Sequence, residues 1–222
     1  MVETKIIILD EQEIVYKIHY KRIKNCYLRV EKGEVVIRCS PLFSQSEIEK
    51  LIRNHQEEIL EQIKGYVPKY NYQEDGYVYL FNQKYQIVLK DMNIKKCAIH
   101  DRQIYVYSKN IQATIERFLK QELMNYLKER IDFYLSTSFH HVFPEIQIKK
   151  MKRRWGACFY QKNRVCFNLV LAHIDYALID YVIVHELCHF LEANHSKAFY
   201  HEIEKRMPDY KERERLLKDV GI

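Results

Sequence analysis

The chain has 222 residues, 47% of them hydrophobic and 30% charged, enough apolar material for one large core or two small ones, which excludes a disordered chain. A formal net charge of +6 is mild for a dedicated nucleic-acid binder, and five glycines and four prolines leave no flexible linker. The apolar run Ile6 to Leu9 has acids on both sides and is too short for a signal peptide or a membrane span, so a cytoplasmic protein with no membrane contact is expected.

In chain order, residues 1–105 read as a β-rich region. Residues 14–20, 27–30 and 35–39 form short β-branched and aromatic runs that predict antiparallel strands, the last two joined by the turn "EKGE" with Gly33. Ile48, Leu51, Ile52, His55, Ile59 and Ile63 then recur at helical spacing, with Ser44 and Glu47 as a capping box and Gly65 as the stop, predicting one helix. Alternation returns after Gly76, with hairpin tips at Asn82–Gln83 and around Asp101–Arg102. Residues 106–222 form the second region. It starts with a long helix from Asn110 to about Leu135, whose apolar stripe includes Ile115, Leu119, Leu123 and Leu127. A strand and a hairpin turning at residues 161–164 come next, then helices over about 175–191, from Ser196 to Pro208, and from Tyr210 onward. The fold class is α+β. Six scattered cysteines without a CxxC pair read as small buried hydrophobes of a reducing compartment.

The strongest chemical signal is VIVHELCHFLEANHS at residues 182–196. His185 and His189 are four apart, one helical turn on one face. Glu186 is rotated by about 100°, which sets its carboxylate beside the imidazoles, as suits a base acting on water. His195 supplies a third nitrogen if the helix breaks after His189. Asn194 tolerates the left-handed conformation of such a break, and Ser196 caps the next helix. Random placement would produce this triplet with its acid in roughly two chains per thousand. Three neutral imidazoles leave one position of a tetrahedral Zn²⁺ open, which is the arrangement of a catalytic site. Cys188 would have to bend back across the helix to close it and is read as a core thiol. The expected set is His185, His189 and His195 for the metal, Zn²⁺ as the cofactor, and Glu186 as the catalytic base. The spacing equals that of the metzincins, but Glu192 stands where that pattern has Gly and no Met-turn is identifiable.

Trp155-Gly156-Ala157-Cys158, Asn168 with Leu169, the HELCH box, Asn194-His195-Ser196 and Pro208-Asp209-Tyr210 together resemble the YgjP-like family of zinc metallopeptidases, relatives of the SprT-like group. "GEVVIRCSP" in the N-terminal half is similar to that family too, so the resemblance covers nearly the whole chain. Ala157 stands where Ser is commoner and Tyr200 where Trp is usual. The resemblance implies a minimal zincin over residues 106–222, with a polypeptide substrate lying in a cleft bordered by a sheet edge. In the mechanism it implies, Glu186 takes a proton from water as it attacks a carbonyl and passes it to the leaving amine. Tyr200, His201 and Tyr210 are open candidates for stabilising the oxyanion. Gly156 on a strand permits close approach of another backbone, such as a substrate peptide, or serves a turn.

Two readings from other classes remain. The basic runs at residues 17–24 and 149–154, with the SprT-like kinship, suggest a nucleic-acid-associated protease, although +6 implies only weak nucleic-acid contact. An inactive metal-binding scaffold is the other, and it leaves Glu186 without a purpose.

Overall fold

The computed structural model describes residues 2–31, 33–65, 68, 70–92 and 94–221. Its α+β chain divides into two compact units, residues 1–68 and 69–222. The first unit holds strands β1 (Val2–Leu9), β2 (Gln12–Tyr20), β3 (Tyr27–Glu31) and β4 (Glu34–Cys39) in the order β1-β2-β4-β3. β1 escapes a reading by alternation because residues 6–9 are all apolar. The period appears only in burial, with Ile7 and Leu9 inside and Ile6 and Ile8 on the surface. The pairs β1/β2 and β3/β4 are antiparallel, the second as expected, but β2 and β4 run parallel, so the sheet is mixed. Gly33 sits in the β3–β4 turn with φ 74°, a conformation glycine adopts without a steric cost. Lys32 of that turn lies outside the described residues.

The predicted single helix is two, α1 (Gln45–Asn54) and α2 (Gln56–Gly65). The capping box forms: Ser44 accepts the Glu47 amide and the Glu47 carboxylate accepts the Ser44 amide. The break falls at His55, whose backbone leaves helical values and whose ring engages the Leu51 carbonyl at 3.0 Å. Ile48, Ile52 and Ile59 nevertheless bury against Ile18 and Ile37 as one core.

The second unit opens with a five-stranded sheet of β5 (Tyr70–Asn71), β6 (Tyr77–Leu80), β7 (Gln83–Leu89), β8 (Lys96–His100) and β9 (Gln103–Tyr107), in the order β5-β6-β7-β9-β8. The sequence places a boundary near residue 105, where strand gives way to helix. The chain instead groups this sheet with the elements after it, because packing and not the change of period decides compactness. Val78, Ile87, Ile104 and Val106 share one core with the following helix, α3 (Ile111–Tyr134), and the Phe81 amide donates to the Ala172 carbonyl at 2.8 Å. The stripe Ile115, Leu119, Leu123, Leu127 and Ile131 on α3 is fully buried, as its spacing predicts. A π-helical turn over residues 135–139 ends it at His140, which takes φ 49°.

The predicted strand and hairpin follow as β10 (Glu145–Lys149), β11 (Gly156–Phe159) and β12 (Arg164–Asn168), in the order β10-β12-β11. β12 is the centre, parallel to β10 and antiparallel to β11, and β11 is an edge. Three helices complete the unit: α4 (Tyr176–Cys188), α5 (Lys197–Arg206) and α6 (Tyr210–Val220), capped by Asp175 and Ser196 at the first two starts. From Leu178 to Cys188 every residue of α4 except His185 is buried, so this helix is a central rod and not a surface helix.

One buried acid on α4 faces α3. The Asp180 carboxylate accepts from Arg130 at 2.8 and 3.1 Å, from the Tyr126 hydroxyl at 2.8 Å and from the Tyr134 hydroxyl at 3.1 Å. Removing one partner of such a cluster strands the others. Asp180→Ala is therefore expected to cost about 3 kcal/mol of unfolding free energy, near the low end because the Arg130 side chain is 26% exposed. Urea unfolding measures it, and a loss below about 1 kcal/mol would show that the cluster is not a joint.

Candidate metal centre

α4 carries His185 and His189 at its C-terminal end, with His189 as the capping residue. Beyond it, the amides of Leu191 and Glu192 both bond to the Cys188 carbonyl, at 2.9 Å each. This tight reversal brings His195 back to the helix. Asn194 does not adopt a positive φ, so the left-handed step expected there is not how the chain turns; residues 188–192 make the bend instead. Ser196 then accepts the Phe199 amide at 3.2 Å and starts α5.

The result gathers the three predicted histidines. One ring nitrogen from each of His185, His189 and His195 lies within 4.8 Å of the others, and the Nε2 atoms of His185 and His195 are 3.0 Å apart. Nδ1 of His189 faces the Glu192 carbonyl at 3.2 Å; a proton donated there leaves Nε2 bare as a ligand atom. Burial, followed by the neighbouring imidazoles, lowers the His185 pKa to about 3, and burial lowers that of His189. Both rings are thus neutral near pH 7, the form in which imidazole binds a cation. Three borderline-soft nitrogens with no carboxylate or thiol among them, within the described residues, are a donor set that fits a divalent transition metal of the zinc type. Cys188 is fully buried in the core, and its thiol is pushed up to about 12 by burial, in keeping with a packing role.

Glu186 is 5% exposed and turned toward β11, which packs alongside α4. Burial pushes its carboxyl up to about 8, opposed by the Cys158 backbone amide and the Arg154 charge. The approach to β11 is held by Asn168. Its side-chain oxygen accepts from the Met151 amide at 3.2 Å and the Val170 amide at 3.4 Å, while its nitrogen donates to the Met151 and Arg154 carbonyls at 2.8 Å each. All four side-chain hydrogen-bonding positions are used. Of the oxyanion candidates, Tyr200 is in ring contact with the triad, 6.3 Å from His195, and Tyr210 stacks on it at 6.1 Å. His201 is exposed.

Sequence reasoning missed Phe199. Its ring is fully buried and touches all three imidazoles, with centroids 5.0, 4.6 and 4.8 Å from His185, His189 and His195. The available signal was positional: an aromatic three residues after the Ser196 cap points back over the start of α5. Phe199→Ala should loosen all three rings and lower metal affinity by roughly 10–100-fold, the usual cost of losing the support behind a ligand. Competition with a chromogenic chelator measures this, and unchanged affinity would mean that the rings are positioned without it.

Among solved structures, the chain is similar to the metallopeptidase zymogen of Pyrococcus abyssi abylysin, at 17% identity and TM-score 0.39 over 42% of this chain and 94% of that one. It is also similar to the metallopeptidase zymogen of Methanocaldococcus jannaschii jannalysin, at 24% identity and TM-score 0.38 over 42% of this chain and 96% of that one. No curated protein matches significantly. The model of the YgjP-like metallopeptidase domain matches residues 24–220, a span that takes in the histidines, Glu186, β11 and most of the first unit, and the chain belongs to that family of metallopeptidases.

Proposed function

We propose that this metallopeptidase is a zinc-dependent endopeptidase in which His185, His189 and His195 hold the metal and Glu186 is the general base. The observation that carries the reading is the convergence of three imidazole nitrogens within 4.8 Å, with a buried carboxylate on the same helix. Bound zinc would supply Lewis acidity toward water and toward a carbonyl oxygen. In its ionised form Glu186, screened from bulk water, accepts the proton of the attacking water and returns it to the departing amine. His189 keeps its orientation through the Glu192 carbonyl.

The substrate reading rests on the edge. The Trp155 carbonyl accepts from the Asn168 amide at 2.8 Å, so in an antiparallel pair the polar groups of Gly156 and Cys158 turn away from β12. An extended polypeptide is the ligand that suits such an edge. No helix of the described residues is long and apolar enough to cross a membrane.

Glu186→Gln should keep the metal and lower turnover of an unstructured protein substrate at least about 100-fold, since the amide matches the size but takes no proton. His195→Ala should lose the metal. Elemental analysis of untagged protein paired with turnover tests both; parental turnover in Glu186→Gln would exclude the base, and full occupancy in His195→Ala would exclude the third ligand.

The basic run at 149–154 does not lie on one strand as a whole. Only Lys149 is in β10, and the rest form the connection to β11. Lys150 is exposed but paired with Glu116 at 2.6 Å, and Lys152, Arg153 and Arg154 are the other exposed cations of the connection. Two or three phosphate contacts give a slope of log affinity against log salt of roughly −2 to −3 for duplex DNA. Titration at several salt concentrations checks it; a steep slope, or cleavage seen only with DNA, would favour the nucleic-acid-associated SprT-like protease.

A further inference from the structure

We propose that Gly156 is a positioning residue for Glu186: the bare Cα on the edge strand β11 is the seat that sets where the carboxylate side chain stands. The proposal builds on the reading of Glu186 as the base. A Cβ placed on Gly156 would lie 2.6 Å from Oε1, 2.7 Å from Cγ and 2.8 Å from Cδ of Glu186. These are its three nearest heavy atoms, all from one side chain, and the separations are shorter than folded proteins tolerate. The close neighbour of this glycine is therefore the Glu186 side chain, where the sequence left open an approaching substrate backbone or a turn.

The backbone does not ask for glycine here. Among the described glycines only Gly33 and Gly221 have positive φ, and Gly156 pairs with Phe167 in ordinary antiparallel register. Space is the reason. Nor is the strand free to retreat, because the Trp155 carbonyl is bonded to the Asn168 amide and the Asn168 side chain ties down Met151 and Arg154. Glu186 cannot swing only its tip, since Cγ and Cδ are in the contact as well as Oε1. A methyl group at 156 must displace the whole acid, while the imidazoles, held from behind by Phe199, keep their places.

A four-protein cycle on the metal-free full chain reads this contact without any catalysis: parent, Gly156→Ala, Glu186→Ala, and the two together. Gly156→Ala should lower the unfolding temperature by roughly 5 °C in the parent, the usual range for an overpacked methyl in a protein of this size. In the Glu186→Ala background the same change should cost almost nothing. Equal losses in both backgrounds would overturn the proposal, showing that the glycine serves the strand alone. If Gly156→Ala fails to fold, the double variant must fold; an unfolded double variant also overturns it.

The metal-loaded Gly156→Ala protein gives the second readout. Metal content and KM should stay within about twofold of parent while kcat falls about 100-fold, the effect of misplacing a catalytic group by about an ångström. A parental kcat, or a loss confined to KM, would overturn the positioning role. Failure of the base itself is read separately, from Glu186→Gln turnover.

Discussion

Burying α4 on nearly every side takes water away from Asp180, His185 and Glu186, and most of the second unit is arranged to meet those groups. An apolar helix in the centre of a core is stable by itself, but each ionisable group on it must find partners or change its protonation. Asp180 finds Arg130 and two tyrosine hydroxyls on α3. His185 stays neutral, its pKa lowered to about 3 chiefly by burial. Glu186 meets the edge of the three-stranded sheet. Three faces of one rod thus have three solutions, and only the one toward His195 leaves nitrogen lone pairs converging on an open point.

That convergence depends on the short reversal after α4. Two amides bonded to the Cys188 carbonyl close the bend, and Ser196 fixes the first turn of α5 so that Phe199 lies beneath all three imidazoles. The spacing of the three imidazoles and the support behind them therefore come from one continuous stretch, residues 185–199. Glu186 is different, because its position is shared between α4 and β11, elements brought together only by the core. Asn168 links them: it ends β12, ties down the connection before β11, and caps the turn that precedes α4.

The division of the chain follows the same logic of packing over local period. The sheet of residues 70–107 alternates like the one before it, yet its buried face shares a core with α3 and α4. A change from strand to helix in the sequence marks an element boundary, whereas a unit boundary appears where buried faces stop being shared.

Sequence alone determined the features whose cause is local. Four-residue spacing puts His185 and His189 on one helical face wherever the helix lies, and Ser44 with Glu47, Ser196, and the stripe from Ile115 to Ile131 declare caps and faces through contacts within a turn or two. Locally masked features were lost: four consecutive apolar residues hid β1, and His55 split a helix whose apolar spacing runs on unbroken. Tertiary structure decided the parallel pairing of β2 with β4, the grouping of the second sheet, and Gly156 against Glu186. Each of the pairings and packings that reach across the chain joins residues whose separation is set by burial of shared apolar faces, and no spacing rule along the chain carries that information.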